Sequence, residues 1–309
     1  MKRLKFIIFI ALCLVFIEPI NAQTPFYTQY MFNDYLINPA VAGTYNQFRI
    51  RANSRIQWMG IKDGPRTMSI AGYGPLKEKD MGYGGYIFND VTGPESWMTL
   101  GGSYAYNIAI SDAWRISGGL SIGIMQYKLD GTVMDLDEDS HYDPSMPQGI
   151  ESKILPDANV GFYAHTTFYY VGISAHHLFG NSYGITESDS TSGISRLTQH
   201  VYLMGGADFI LNREFSLSPS AMIKYTSPGQ IQAEINAKVT YQRMVWGGLS
   251  YRFGSSGYFT SDAIAVLAGY NYDNKIYIGL SYDITMSDLR QYSNGTIEVM
   301  IGYRFNNIK

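Results

Sequence analysis

The sequence predicts an all-β transmembrane protein: an antiparallel outer-membrane β-barrel of about fourteen strands, with a short N-terminal segment ahead of it. Three observations carry this prediction. The 309 residues include 26 Tyr and 32 Gly but only 16% charged residues, whereas a water-soluble domain carries about 25%. No apolar run reaches the ~20 residues that a membrane-spanning helix needs. Segments of about ten residues alternate between apolar and polar side chains. Successive strand side chains point to opposite faces, so each such segment offers one face to lipid and one to a wet lumen.

Residues 1–22 read as a signal peptide. Lys2, Arg3 and Lys5 form a basic start, Phe6 to Ile17 an apolar core, and Asn21-Ala22-Gln23 a cleavage site after Ala22. Cys13, the only cysteine, lies within that core behind Leu12, where a lipidation site wants a small residue. A mature chain starting at Gln23 has no disulfide and no thiol ligand or nucleophile. Its formal charge moves from −3 to −5, because three cations and Glu18 leave with the signal. That acidic balance argues against a nucleic-acid partner.

Residues 23–46 form the N-terminal segment and include "QYMFNDYLINPAVAG", Gln29 to Gly43. Pro39 fixes its own φ and pushes Asn38 out of the α region. Gly43 permits a tight turn ahead of the barrel. Phe26, Tyr27, Tyr30, Met31, Phe32, Tyr35, Leu36 and Ile37 need dry contacts. Two destinations are open: a plug or lid in the lower lumen, or a docking peptide for a periplasmic partner.

The barrel spans 47–309. In 47–58, Phe48, Ile50, Ala52, Ile56 and Trp58 share one parity, and Arg49, Arg51, Asn53, Arg55 and Gln57 the other. The same alternation recurs in 114–126, 230–241 and 295–305. Fourteen segments are expected near 47–58, 65–76, 81–91, 96–108, 114–127, 157–167, 169–179, 198–211, 215–226, 230–241, 244–253, 261–272, 275–284 and 295–306. Connections after even strands are short, and those after odd strands are longer, notably 128–156, 180–197, 254–260 and 285–294. Outer-membrane barrels have short periplasmic turns and longer external loops. This alternation places both termini in the periplasm. The connection 227–229 is external in this scheme yet short.

The inward parity carries a ladder of charges: Arg49, Arg51, Arg55, Glu234, Lys238, Arg252, Asp283, Glu298 and Arg304. Arg55 on the first strand and Glu298 on the last fall toward the same end, close enough to pair across the closing seam. The ladder reads either as charges that neutralise one another or as a cationic wall gripping a peptide or anion. Such charges are tolerable in a wet lumen and costly in lipid. Trp58 and Trp114 lie on the apolar parity at opposite strand ends, as interface aromatics do. Trp97 and Trp246 fall on the other parity.

Chemistry-bearing motifs are absent. Asp135, Asp137 and Asp139 open like a calcium loop, but Ser140 stands at the turn glycine and Met146 at the twelfth position. Adjacent His176 and His177 point to opposite faces of a regular strand and cannot chelate together. His141 has acidic neighbours but no recognisable nucleophile. No enzyme activity, metal or cofactor is expected.

Four stretches resemble one family: "YTQYMFNDYLINPAVAG", "LSPSAMIKYTSPGQIQAEINAKVTY" (217–241), "VWGGLSYRF" (245–253) and "IGLSYDITMSDLRQYSNGTIEVMIGYRF" (278–305). Together they resemble the PorP/SprF outer-membrane proteins of the type IX secretion system of Bacteroidota. In that family Tyr is usual where Leu280 stands, and His where Ile297 stands. The resemblance implies a barrel without catalytic activity, working in gliding motility or secretion. The implied partners are a secreted surface adhesin or its C-terminal domain, periplasmic type IX components, and outer-membrane lipid. A passive diffusion channel is the alternative.

Overall fold

The computed structural model describes residues 27–76, 79–133, 149–184, 196–227, 229–256 and 258–305. Strands fill most of it: β1 (Arg49–Ile56), β2 (Arg66–Pro75), β3 (Met81–Thr92), β4 (Glu95–Ala109), β5 (Arg115–Asp130), β6 (Ile150–His165) and β7 (Tyr169–His176). There follow β8 (His200–Ala207, resumed after Asp208 at Phe209–Ile210), β9 (Phe215–Thr226), β10 (Gln230–Tyr241), β11 (Val245–Ser256), β12 (Tyr258–Tyr272), β13 (Ile276–Thr285) and β14 (Thr296–Arg304). Every strand pairs antiparallel with its sequence neighbours, and β14 pairs with β1 to close the ring. With the short interruption at Asp208 counted as one strand, the barrel has fourteen.

The exterior is apolar and the interior polar, the reverse of a soluble domain. Ile70, Ile122 and Leu249 face outward and are more than half exposed, while Arg51, Arg55, Lys224 and Glu298 are buried inside. Outward Ile and Leu are stable only against hydrocarbon. Among the described residues no helix is long and apolar enough to cross a membrane.

Some strands outrun the sequence pattern. β5 and β6 pair as far as Asp130 opposite Ile150, so most of the stretch from 150 to 156 is ladder and not loop. β11 and β12 likewise pair as far as Ser256 opposite Tyr258, which removes the long connection expected at 254–260. In both places the apolar–polar alternation fades while the hydrogen-bond ladder continues. At 15 and 16 residues, β4 to β6 exceed the ~10 that a tilted crossing requires. Asp135, Asp137, Asp139 and His141 lie outside the described residues, as does the signal peptide.

The segment 27–46 runs inside the ring. It makes three short 3₁₀ turns, Tyr30–Phe32, Asp34–Leu36 and Pro39–Val41. The third is set by Asn38, which is extended (φ −143°, ψ 111°) ahead of Pro39 and caps the turn by accepting from Ala40 N at 2.9 Å. Tyr30, Ala40 and Val41 have no solvent exposure.

Inward glycines make room for the segment. A Cβ on Gly82 would lie 2.3 Å from the Ala42 carbonyl carbon, and one on Gly119 would lie 2.4 Å from Ala40 N. Gly43 itself adopts φ +82° against Gly82. Part of the glycine surplus thus records where a chain lies against the wall.

Gly82→Val should displace the segment and destabilise the protein by ~1–3 kcal/mol, the usual cost of overpacking. Gly102→Val points into open space and should be near neutral. Urea titration in detergent, followed by the heat-dependent gel shift of folded barrels, compares the two.

Candidate functional site

The nine charges of the expected ladder divide into two groups. Toward the end of the barrel with the longer connections, five of them converge. The β1–β14 register sets Arg55 opposite Glu298, and Arg55 lies 3.1 Å from Glu298 and 2.9 Å from Asp283. Arg252 lies 2.8 Å from Glu234 and 3.3 Å from Asp283. All five are buried. Taking such ions out of water is costly unless their remaining donors and acceptors are satisfied.

Thr28 and Gln29 supply most of these partners, and the Arg55 Nε–H is left without one. The Thr28 hydroxyl donates to Asp283 at 2.7 Å and accepts from Arg55 at 2.9 Å and Arg252 at 2.7 Å. The backbone N–H groups of Thr28 and Gln29 donate to the two Glu298 oxygens at 2.9 and 3.2 Å. Asn53 adds a further donor to Glu298, and Ser250 donates to Glu234. Sequence reasoning passed over Thr28, Gln29 and Asn53. A small polar pair beside a run of aromatics was the available signal.

The other four charges lie toward the opposite end and meet aromatic faces and neutral oxygens. Arg49 sits over the Tyr45 ring at 3.2 Å, and Lys238 over Phe32 at 4.8 Å. Arg51 donates to the Phe32 carbonyl at 3.1 Å, and Arg304 to Asn274 at 2.7 Å. Their nearby acid is Asp34 of the inner segment, which accepts from Tyr45 at 2.5 Å and Tyr73 at 3.2 Å. Burial pushes the Asp34 carboxyl up, opposed by the Tyr45 hydrogen bond and by Arg49.

The remaining segment residues are held in turn. Phe32 packs against Trp246 and Tyr277 with ring centroids 4.6 and 4.5 Å away. Met31 packs beside the same cluster. Tyr30 OH receives a hydrogen bond from Asn236 at 3.1 Å, and Asn33 donates to Asn53 at 3.2 Å. Asn38 donates to the Phe162 carbonyl at 3.0 Å. Ile37 O accepts from Ser174 Oγ at 2.6 Å and lies 2.7 Å from His176 Nε2.

Above the five-charge group a cavity of about 670 Å³ opens among the longer connections. Tyr27, Leu36 and Ile37 contribute to its floor, and Asp90, Glu95, Trp97, His176 and His177 to its walls. Trp58 also lines it, which corrects its placement as an interface aromatic. β1 ends at Ile56, the Gln57 N–H turns to Pro65 O, and Trp58 takes φ +51° in the bend. Trp114 lies outward, immediately before β5. His176 and His177 do not point to opposite faces, because His177 lies past the strand end at φ +58° and pairs with Asp157 at 3.2 Å. Among the described residues no group of His, Cys, Asp and Glu could hold a metal ion.

These features define an outer-membrane β-barrel whose lumen contains its own N-terminal segment. Among solved structures, the chain is similar to the toluene transporter TbuX of Ralstonia pickettii, with 9% identity over 88% of this chain and 92% of that one, at a TM-score of 0.50. It is also similar to the CymD monoaromatic hydrocarbon channel (12% identity, 92% and 94% covered, TM-score 0.49). A third is Omp33 of Acinetobacter baumannii (9% identity, 84% and 98% covered, TM-score 0.46). At these identities the likeness is one of fold alone. No curated protein matches the sequence. The family described as type IX secretion system membrane protein PorP/SprF matches residues 20–303. The chain belongs to that family.

Thr28→Val should remove one donor and one acceptor shared by three buried ions. At ~1.5–3 kcal/mol for a hydrogen bond to a charged group, the expected loss is about 2–4 kcal/mol by urea titration. Thr28→Ser keeps the hydroxyl and should stay close to wild type.

Proposed function

We propose that this protein is a non-enzymatic barrel of the type IX secretion and gliding machinery. Its lumen is plugged by residues 27–46, and it anchors or assists the export of a secreted surface protein. The observation that carries this reading is the tethering of the segment by buried ions from β1, β11, β13 and β14. A barrel of this width is too broad for side chains alone to fill, and a diffusion channel would leave that space to water. Here aromatic side chains and paired ions occupy it.

The longer connections then face the cell exterior and the short turns the periplasm. The lumen mouth and the outer loops together receive the C-terminal domain of the secreted adhesin. The short-turn end meets periplasmic components of the same system. Family membership supports the secretion context, and the unequal connection lengths support the orientation.

In planar bilayers the purified protein should show no steady conductance, whereas deletion of residues 27–46 should open pores. Tagged protein should recover a large secreted protein from cells. Steady ion-selective pores from the intact chain, together with no secreted protein recovered, would overturn the reading in favour of a passive channel.

A further inference from the structure

One wall of the mouth cavity has a composition of its own. It comes from the inward faces of β3, β4 and β5, where Asp90 is registered opposite Trp97, and Trp97 opposite Tyr127. Asp90 is 6% exposed and is held by two hydroxyls, Thr67 at 2.6 Å and Thr92 at 3.5 Å. Glu95, two residues before Trp97 and on the same face, accepts from Tyr127 at 3.2 Å. Among the described residues, neither Asp90 nor Glu95 forms an ion pair. That sets them apart from Asp157, Asp283, Glu234 and Glu298 in the same lumen, each of which has a basic partner.

Two further observations point to a ligand. Tyr27 lines the same cavity, edge-on to Phe88 at 6.4 Å. It is also 6% exposed, and its hydroxyl has no hydrogen-bond partner. Beside the carboxylates the Trp97 and Tyr127 rings lie 4.4 Å apart, centroid to centroid, tilted at 36°. Tyr183 packs against both rings at 4.8 Å, so the aromatic cluster forms one side of the site. Two carboxylates and a spare phenol oxygen beside it suit a cation. Carboxylates and phenol oxygens accept from N–H groups, and aromatic faces attract guanidinium or ammonium. Arg196, Lys224 and Arg252 also line the cavity, but on this wall an anion would meet repulsion from both acids.

We infer that Asp90, Glu95, Trp97, Tyr127 and Tyr27 form a receiving site for an arginine or lysine side chain of the docking protein. The inference rests on the reading that the mouth accepts a secreted partner, but the site itself can be probed without that partner. Arg suits it better than Lys, because a planar guanidinium can reach two acceptors at once.

The test uses the full-length protein in detergent, with its four tryptophans replaced by 5-fluorotryptophan and the fluorine resonances assigned by single Trp→Phe changes. N-acetyl-arginine amide is the probe, and N-acetyl-citrulline amide, its neutral counterpart, is the control. The Trp97 resonance should shift and saturate with the arginine compound, while the Trp246 resonance in the lower lumen stays fixed. Citrulline should move Trp97 at least tenfold less at equal concentration. Asp90→Asn with Glu95→Gln should weaken arginine binding by tenfold or more while preserving the heat-dependent gel shift. Equal responses to the two compounds, or full binding by a folded double variant, would overturn the site. Because only small probes are used, this result is independent of whether a secreted protein is recovered from cells. Saturable arginine binding with no such recovery would keep the site and remove the anchor reading.

Discussion

Glu298 has one oxygen turned to Arg55 across the closing seam, and both oxygens take backbone N–H groups from Thr28 and Gln29. The rest of the interior depends on this meeting of wall and segment. A buried ion pair is seldom stabilising in its own right, because desolvation consumes most of the attraction. What makes this one tenable is that every further acceptor is engaged by a donor fixed in place. Asp283 and Arg252 extend the arrangement to β13 and β11 through the same threonine hydroxyl. One small residue thereby ties four strands to the chain they enclose.

The wider architecture follows from the solvent outside. Lipid gives the outward Ile, Leu and Val a medium as apolar as themselves, so the exterior needs only to match it. Uniqueness of structure therefore falls to the interior. There the segment supplies what a soluble protein draws from its core: buried aromatics, capped turns and close backbone approach. The glycines along β3, β5 and β6 let that chain lie directly against the wall. The Tyr35 ring, stacked on Tyr73 at 4.6 Å, and Phe32, against Trp246 and Tyr277, fill the spaces between.

Much of this was legible in the sequence. Strand number, closure and the inside-out distribution follow from period-two alternation, because lipid enforces that pattern on every crossing. The position of Arg55 beside Glu298 follows from counting along two antiparallel strands. Strand ends were harder to read. Past the hydrocarbon layer nothing selects apolar side chains, so β5, β6, β11 and β12 continue without a signature. Trp58 misled for the same reason: its parity is meaningful only while the ladder lasts, and the ladder stops at Ile56. The role of Thr28 could not be read from alternation at all. It depends on which residues from four distant strands meet at one point, and that is a property of the closed ring.

The seam also bears on how the molecule is made. Glu298 lies on the last strand, and its ligands Thr28 and Gln29 precede the first. A ring that closed empty would leave Glu298 and Asp283 short of donors, and residues 27–46 would then have to climb through one end to reach them. A ring that closes last along β1 and β14 lays the segment in from the side and completes both sets of bonds together. In the finished molecule, closure of the wall and seating of the segment converge on one carboxylate, so each supports the other.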